Sequence, residues 1–135
     1  DGVIDLLTSL KAKDAVLGLL SGNVEGIAWA KLQRAEIKKY FDFGAFGDNA
    51  YKRVDLVKIA KENARIILRK DFEIKDFVIV GDTPKDIQCA KEAKIKSIAV
   101  ATGIYTFEDL KKEKPDLLIH NFASEGKKVV NFLNN

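Results

Sequence analysis

The densest chemical signal in the chain is Gly81-Asp82-Thr83-Pro84-Lys85-Asp86, directly after the apolar run Phe77-Val78-Ile79-Val80. Two carboxylates four positions apart at a strand-to-helix turn can both point into one site. Hard cations such as Mg²⁺ take oxygen ligands from a few carboxylates, water and phosphate. The same residues also read as plain helix architecture: Thr83 is a candidate N-cap with Asp86 three residues on, a capping-box variant. The two readings are compatible, because the cap does not need Asp82.

A second cluster is Leu19-Leu20-Ser21-Gly22-Asn23. A hydroxyl and backbone N–H groups at a helix N-terminus form a phosphate cradle, although Ser21 or Asn23 could equally serve as an ordinary cap. The third is Lys52-Arg53, at the head of a long amphipathic segment. A cation there opposes the helix dipole by roughly a few tenths of a kcal/mol, which hints at another role. In a chain with 23 lysines and arginines, a solvated basic face is the simpler account.

These clusters need elements to hold them. Val3–Leu10 has helical apolar spacing, and Ala15–Leu20 is a short apolar run that reads as a buried strand. Val24–Gln33 reads as helix, Ile37, Tyr40 and Phe41 as a packed loop or short helix, and Phe43–Phe46 as a brief strand. Arg53–Leu68 carries the pattern of a long amphipathic helix. Phe77–Val80 is the clearest strand, and Pro84–Ala93 a helix with proline where its missing N–H costs little. Ser97–Val100 and Leu117–Ile119 read as further strands, and Val129–Leu133 as a closing helix. Alternation of this kind implies βαβ crossovers and a parallel sheet covered on both faces. In such sheets ligands gather beyond the carboxyl ends of the strands, where all three clusters fall.

Taken in order, the clusters resemble the motifs of the haloacid dehalogenase superfamily. Gly18-Leu19-Leu20-Ser21-Gly22-Asn23, Tyr40-Phe41-Asp42 and Gly81-Asp82-Thr83-Pro84-Lys85-Asp86 are similar to its phosphoglycolate-phosphatase-like branch. The resemblance implies a Rossmann-like three-layer α/β/α sandwich with a mostly parallel sheet, residues 1–135 forming the C-terminal portion of one catalytic core. It implies that Ser21, with the N–H groups of Gly22 and Asn23, binds a phosphoryl group. Arg53, with Lys52 as the fallback, becomes the stabilising cation, and Asp82 and Asp86 the acidic pair for Mg²⁺. Ser21, Arg53 and Asp82 are then the catalytic residues present. The implied reaction is hydrolysis of a small phosphorylated metabolite through an aspartyl-phosphate. Phosphomutase or phosphotransferase chemistry, dehalogenation and a non-catalytic binding module are the alternatives.

One part of the pattern is absent. The family's nucleophile is the first aspartate of a D-x-D-x-[TV] motif, and no two aspartates of this chain stand two positions apart. The implied central strand carrying it lies between the strands of Ser21 and Asp82. The expectation is therefore that an N-terminal segment of a parent protein supplies that strand and a cap, and that the 135 residues alone are inactive. Asp1 in place of an initiator methionine fits an internal segment or processed product.

Composition narrows the remaining choices. A hydrophobic share of 47% beside a charged share of 32% belongs to an ordinary globular chain. The net charge of +3, carried by interspersed residues, makes no case for nucleic acid or a membrane surface as partner. Apolar runs of about six residues fall far short of the roughly 20 that span a bilayer. A single cysteine excludes an internal disulfide framework, so a cytoplasmic setting is expected. Cys89 reads as a small core residue, Trp29 as a packing residue of its helix, and His120 lacks the partners of a catalytic triad.

Overall fold

The apolar runs become strands wherever a helix can cover them. The computed structural model describes residues 2–21, 24–47 and 53–134, and they divide into two compact units. One comprises residues 11–72. Its strands β1 (Gly18–Ser21) and β2 (Phe43–Phe46) pair in parallel, Gly18 opposite Phe43 and Ser21 opposite Phe46. Helix α2 (Glu25–Arg34) and a 3₁₀ turn at Lys38–Tyr40 connect them. Helix α3 (Arg53–Leu68) packs on both strands.

Strand β2 is buried along its whole length, as its sequence Phe-Gly-Ala-Phe requires. Asn63 of α3 donates to the Gly44 carbonyl at 2.8 Å, which satisfies a sheet-edge group that burial would otherwise leave unpaired. Trp29 of α2 meets Phe46 edge to face with ring centroids 5.4 Å apart, the packing role expected of it. Parallel pairing starts at Gly18, three residues later than the apolar run. The Leu17 backbone is already taken: its N–H donates to the Asp42 carboxylate at 3.0 Å and its carbonyl accepts from the Asp42 N–H at 2.7 Å. Asp42 also pairs with Lys11. The Tyr40-Phe41-Asp42 stretch thus contributes a brace at the entry to β1.

The other unit comprises residues 1–10 and 73–135. Here β3 (Val78–Gly81), β4 (Lys96–Val100) and β5 (Leu117–Ile119) form a parallel sheet in the order β3-β4-β5. Helix α4 (Pro84–Ala93) links the first two and α5 (Phe107–Lys112) the last two, while α6 (Phe122–Leu133) follows β5. Helix α1 (Val3–Ala12) buries Leu6, Leu7 and Leu10. Gly2 precedes it at φ 81°, so close to Ala123 that a methyl would sit 2.5 Å from its backbone nitrogen. Central strand β4 is buried from Ser97 to Val100, and the Ser97 N–H is met by Asp116 Oδ2 at 2.8 Å. Ile87, Ala99 and Leu110 make a cluster against which Ala101, Tyr105 and Leu118 pack. Cys89 is buried, as expected of a small core residue.

All described strand pairings are parallel, as the alternation predicts. Two helices differ from the sequence reading. Helix α5 has only six residues, too few for a periodic pattern, and α6 starts seven residues before Val129. Helix ends follow an unexpected rule as well. Among the described residues, Asp14, Glu36, Arg69, Lys94 and Lys114 adopt φ between 52° and 62° just beyond α1 to α5, a conformation more often given to glycine.

Candidate functional site

Strand β3 ends at Gly81, and the chain turns into α4 through Asp82 and Thr83. Thr83 caps the helix: its hydroxyl oxygen accepts from the Asp86 N–H at 3.2 Å. Asp86 reciprocates with Oδ2, which accepts from the Thr83 N–H at 3.1 Å, the Thr83 hydroxyl at 2.9 Å and the Asp82 N–H at 3.2 Å. The capping box is real, and it fixes one oxygen of Asp86. Such a cap satisfies N–H groups that an α-helix leaves orphaned.

Asp82 is placed differently. It is exposed, and its carboxylate makes no hydrogen bond or ion pair among the described residues. It stands against the loop after β4, where a methyl on Gly103 would come within 2.5 Å of Asp82 Oδ2. The two carboxylates therefore share one turn but not one environment. An unengaged carboxylate at the carboxyl end of a parallel strand, beside a second whose hydrogen bonds anchor the turn, suits a Mg²⁺ ion that keeps most of its water. Asp82 fits direct coordination. Asp86, with Oδ2 committed to three donors, fits contact through water or through the turn it holds.

The other candidates belong to residues 11–72. Ser21 is the last residue of β1, opposite Phe46, and it is half-buried and engaged in an interaction. Arg53 is the first residue of α3, after the carboxyl end of β2. The placement of its side chain, and Gly22, Asn23 and Lys52 entirely, lie outside the described residues. Helix α2 has Val24 at its N-cap, a residue that makes no side-chain hydrogen bond there.

Sequence reasoning missed Gly103. Its only signal was the pair Thr102-Gly103 closing the β4 run, because proximity to Asp82 is a fact of three dimensions. His120 follows β5, stacks on Phe107 with centroids 4.1 Å apart at 9°, and lies with Nδ1 2.9 Å from Glu125 Oε1. That hydrogen bond, with help from Lys128, holds the Glu125 carboxyl below the usual range. The pair closes the β5–α6 turn. No cluster of three metal-ligating side chains occurs among the described residues, nor is any described helix long and apolar enough to cross a membrane.

Residues 1–100 match the family model of haloacid dehalogenase-like hydrolases. Among curated relatives, phosphoglycolate phosphatase of Agrobacterium fabrum is 27% identical over 124 residues, covering 91% of this chain and 51% of the relative. A Caldanaerobacter subterraneus protein provisionally named pyrophosphatase PpaX is 29% identical over 131 residues, covering 90% and 54%. The chain thus spans about half the length of the curated relatives it matches. Solved structures agree on the fold. A predicted phosphatase from Clostridium acetobutylicum superposes with a TM-score of 0.84 at 22% identity, over 97% of this chain and 59% of that one. A haloacid dehalogenase-like family hydrolase from Streptococcus pneumoniae gives 0.77 at 23%, over 96% and 57%. With a family model covering most of its length and the motif order to match, the chain belongs to the haloacid dehalogenase-like hydrolases.

Proposed function

We propose that this chain is the C-terminal portion of the catalytic core of a Mg²⁺-dependent phosphatase acting on a small phosphorylated metabolite through an aspartyl-phosphate. The observation that carries the reading is Asp82: an exposed carboxylate without a partner among the described residues, on a turn that Thr83 and Asp86 lock. The phosphatases among the curated relatives support the reaction class.

Asp82 holds Mg²⁺, and Asp86 contributes through water and by fixing the turn. The bound ion supplies neutralisation of charge on phosphate and carboxylates. Ser21 and the N–H groups of Gly22 and Asn23 hold phosphoryl oxygens, a role that suits a helix start whose N-cap residue, Val24, makes no side-chain hydrogen bond. Arg53, or Lys52 in its stead, stabilises the charge that develops there. The attacking aspartate comes from an N-terminal segment that also brings the cap. Covalent attack divides one hard displacement into two easier ones. The absence of a D-x-D pattern supports a supplied strand.

The test is Mg²⁺-dependent hydrolysis of an aryl phosphate by the whole protein, by its Asp82→Asn variant and by these 135 residues. A lost metal contact is worth several kcal/mol of transition-state stabilisation. At about 1.4 kcal/mol per tenfold, the variant should fall by about a thousandfold. The 135 residues alone should be inactive. Near-wild-type turnover by Asp82→Asn would sink the assignment, and turnover by the 135 residues would mean that another group attacks phosphorus.

A further inference from the structure

The geometry points to Gly103 as a positioning residue for Asp82. A methyl built on Gly103 would lie 2.5 Å from Asp82 Oδ2, 3.2 Å from its Cγ and 3.5 Å from its Cβ, and these are its three nearest atoms. The φ angle at Gly103 is not positive, so the backbone there suits any residue. The Asp82 carboxylate is the neighbour that calls for glycine.

The loop is tied on either side of Gly103. Ala101 donates to the Ile119 carbonyl at 3.0 Å, Tyr105 packs on the Ile87, Ala99 and Leu110 cluster, and Thr106 caps α5. The exposed Asp82 side chain has nothing comparable to restrain it. When a methyl occupies position 103, the carboxylate is what moves, and turning an exposed side chain about its own bonds costs little. Gly103 therefore governs where the carboxylate stands while contributing little to the fold.

Gly81 provides the contrast. A methyl there would lie 2.3, 2.4 and 2.5 Å from Oδ2, Cγ and Cβ of Asp86. That side chain is tied by three donors to its Oδ2, so the turn itself must distort. Overpacking against an immobile group is paid in stability.

This inference rests on the reading of Asp82 as a metal ligand, and one experiment separates the two. Mg²⁺ binding by isothermal titration calorimetry and thermal melts are measured on the whole protein, Asp82→Asn, Gly103→Ala and Gly81→Ala. Asp82→Asn should lose Mg²⁺ binding. Gly103→Ala should bind Mg²⁺ about tenfold to a hundredfold more weakly, the usual range for a residue that orients a ligand, with a Tm within about 2 °C of wild type. Gly81→Ala should melt at least about 4 °C lower. Wild-type affinity in Gly103→Ala beside loss in Asp82→Asn overturns the positioning role and leaves the metal reading standing. Wild-type affinity in Asp82→Asn overturns both. A Gly103→Ala protein that fails to fold, or whose Tm falls with its affinity, marks Gly103 as a residue of the fold and overturns the inference.

Discussion

Helices α2 and α4 both follow the carboxyl end of a parallel strand, yet their first turns are built on opposite terms. Helix α4 starts with Thr83, Pro84 and a reciprocal bond from Asp86. Helix α2 starts with Val24, 45% exposed and with no side-chain cap, and carries Gly26 in its first turn, where a methyl would meet nothing within 4 Å. The same contrast runs through the two units. Asn121 and Thr106 cap α6 and α5 as Thr83 caps α4. The largest fully buried side chains among the described residues, Ile87, Ile98, Leu110, Ile119 and Val129, all fall in residues 73–135. A three-stranded sheet with closed helix starts can stand by itself. A two-stranded sheet depends on the helices packed against it. The turn proposed to hold metal is thus rigid by local chemistry, whereas the helix after the turn proposed to hold phosphate starts on a residue that supplies no side-chain hydrogen bond.

Amide hydrogen exchange on the 135-residue chain gives the largest expected effect. Amides of β4 should exchange orders of magnitude more slowly than those of β1, because local opening free energies run from near zero up to the global value. Equal protection in β1 and β4 would erase the contrast. A smaller effect is expected from Val24→Ser, which puts a hydrogen-bonding side chain at the N-cap of α2 and should raise stability by about 0.5–1 kcal/mol. Urea unfolding of the two proteins measures it, and no gain would mean that the start of α2 is already satisfied. The smallest effect concerns acid. Asp109 is held below the ordinary carboxylate range, first by the Thr106 N–H and then by the Thr106 hydroxyl. Its pKa is lower folded than unfolded, so its stabilisation is complete above the unfolded value of about 4 and fades as pH falls through the folded one. Asp109→Asn should therefore flatten the acid limb of Tm against pH below about pH 4 without steepening it elsewhere. An unchanged limb would show that the cap is indifferent to that charge.

Legibility in the sequence followed the same physical divide. Helices α3 and α4 and strands β2 and β5 lie where the apolar spacing put them, because burial alone specifies them. The capping box at Thr83 was readable from residue types three apart. Thr106 and Asp109 carry the same signature, and α5 was missed because six residues are too few to show a period. Helix stops were obscured because Asp14, Glu36, Arg69, Lys94 and Lys114 take the left-handed turn in place of glycine. The motif order placed Ser21, Arg53, Asp82 and Asp86 at strand ends or helix starts. What the sequence could not display is Gly103, whose contribution is an absent side chain meeting a carboxylate 21 positions away.

One feature of α4 makes the state of its N-terminal turn measurable in solution. Cys89 is the chain's single cysteine, and it is buried, three residues beyond Asp86 on the same helix. A thiol reagent reaches it only when the helix lifts from the sheet. The labelling rate is therefore a clock for α4 opening, read without introducing any probe. Slower labelling as Mg²⁺ is added would time, in a single rate constant, how firmly a bound cation clamps that helix.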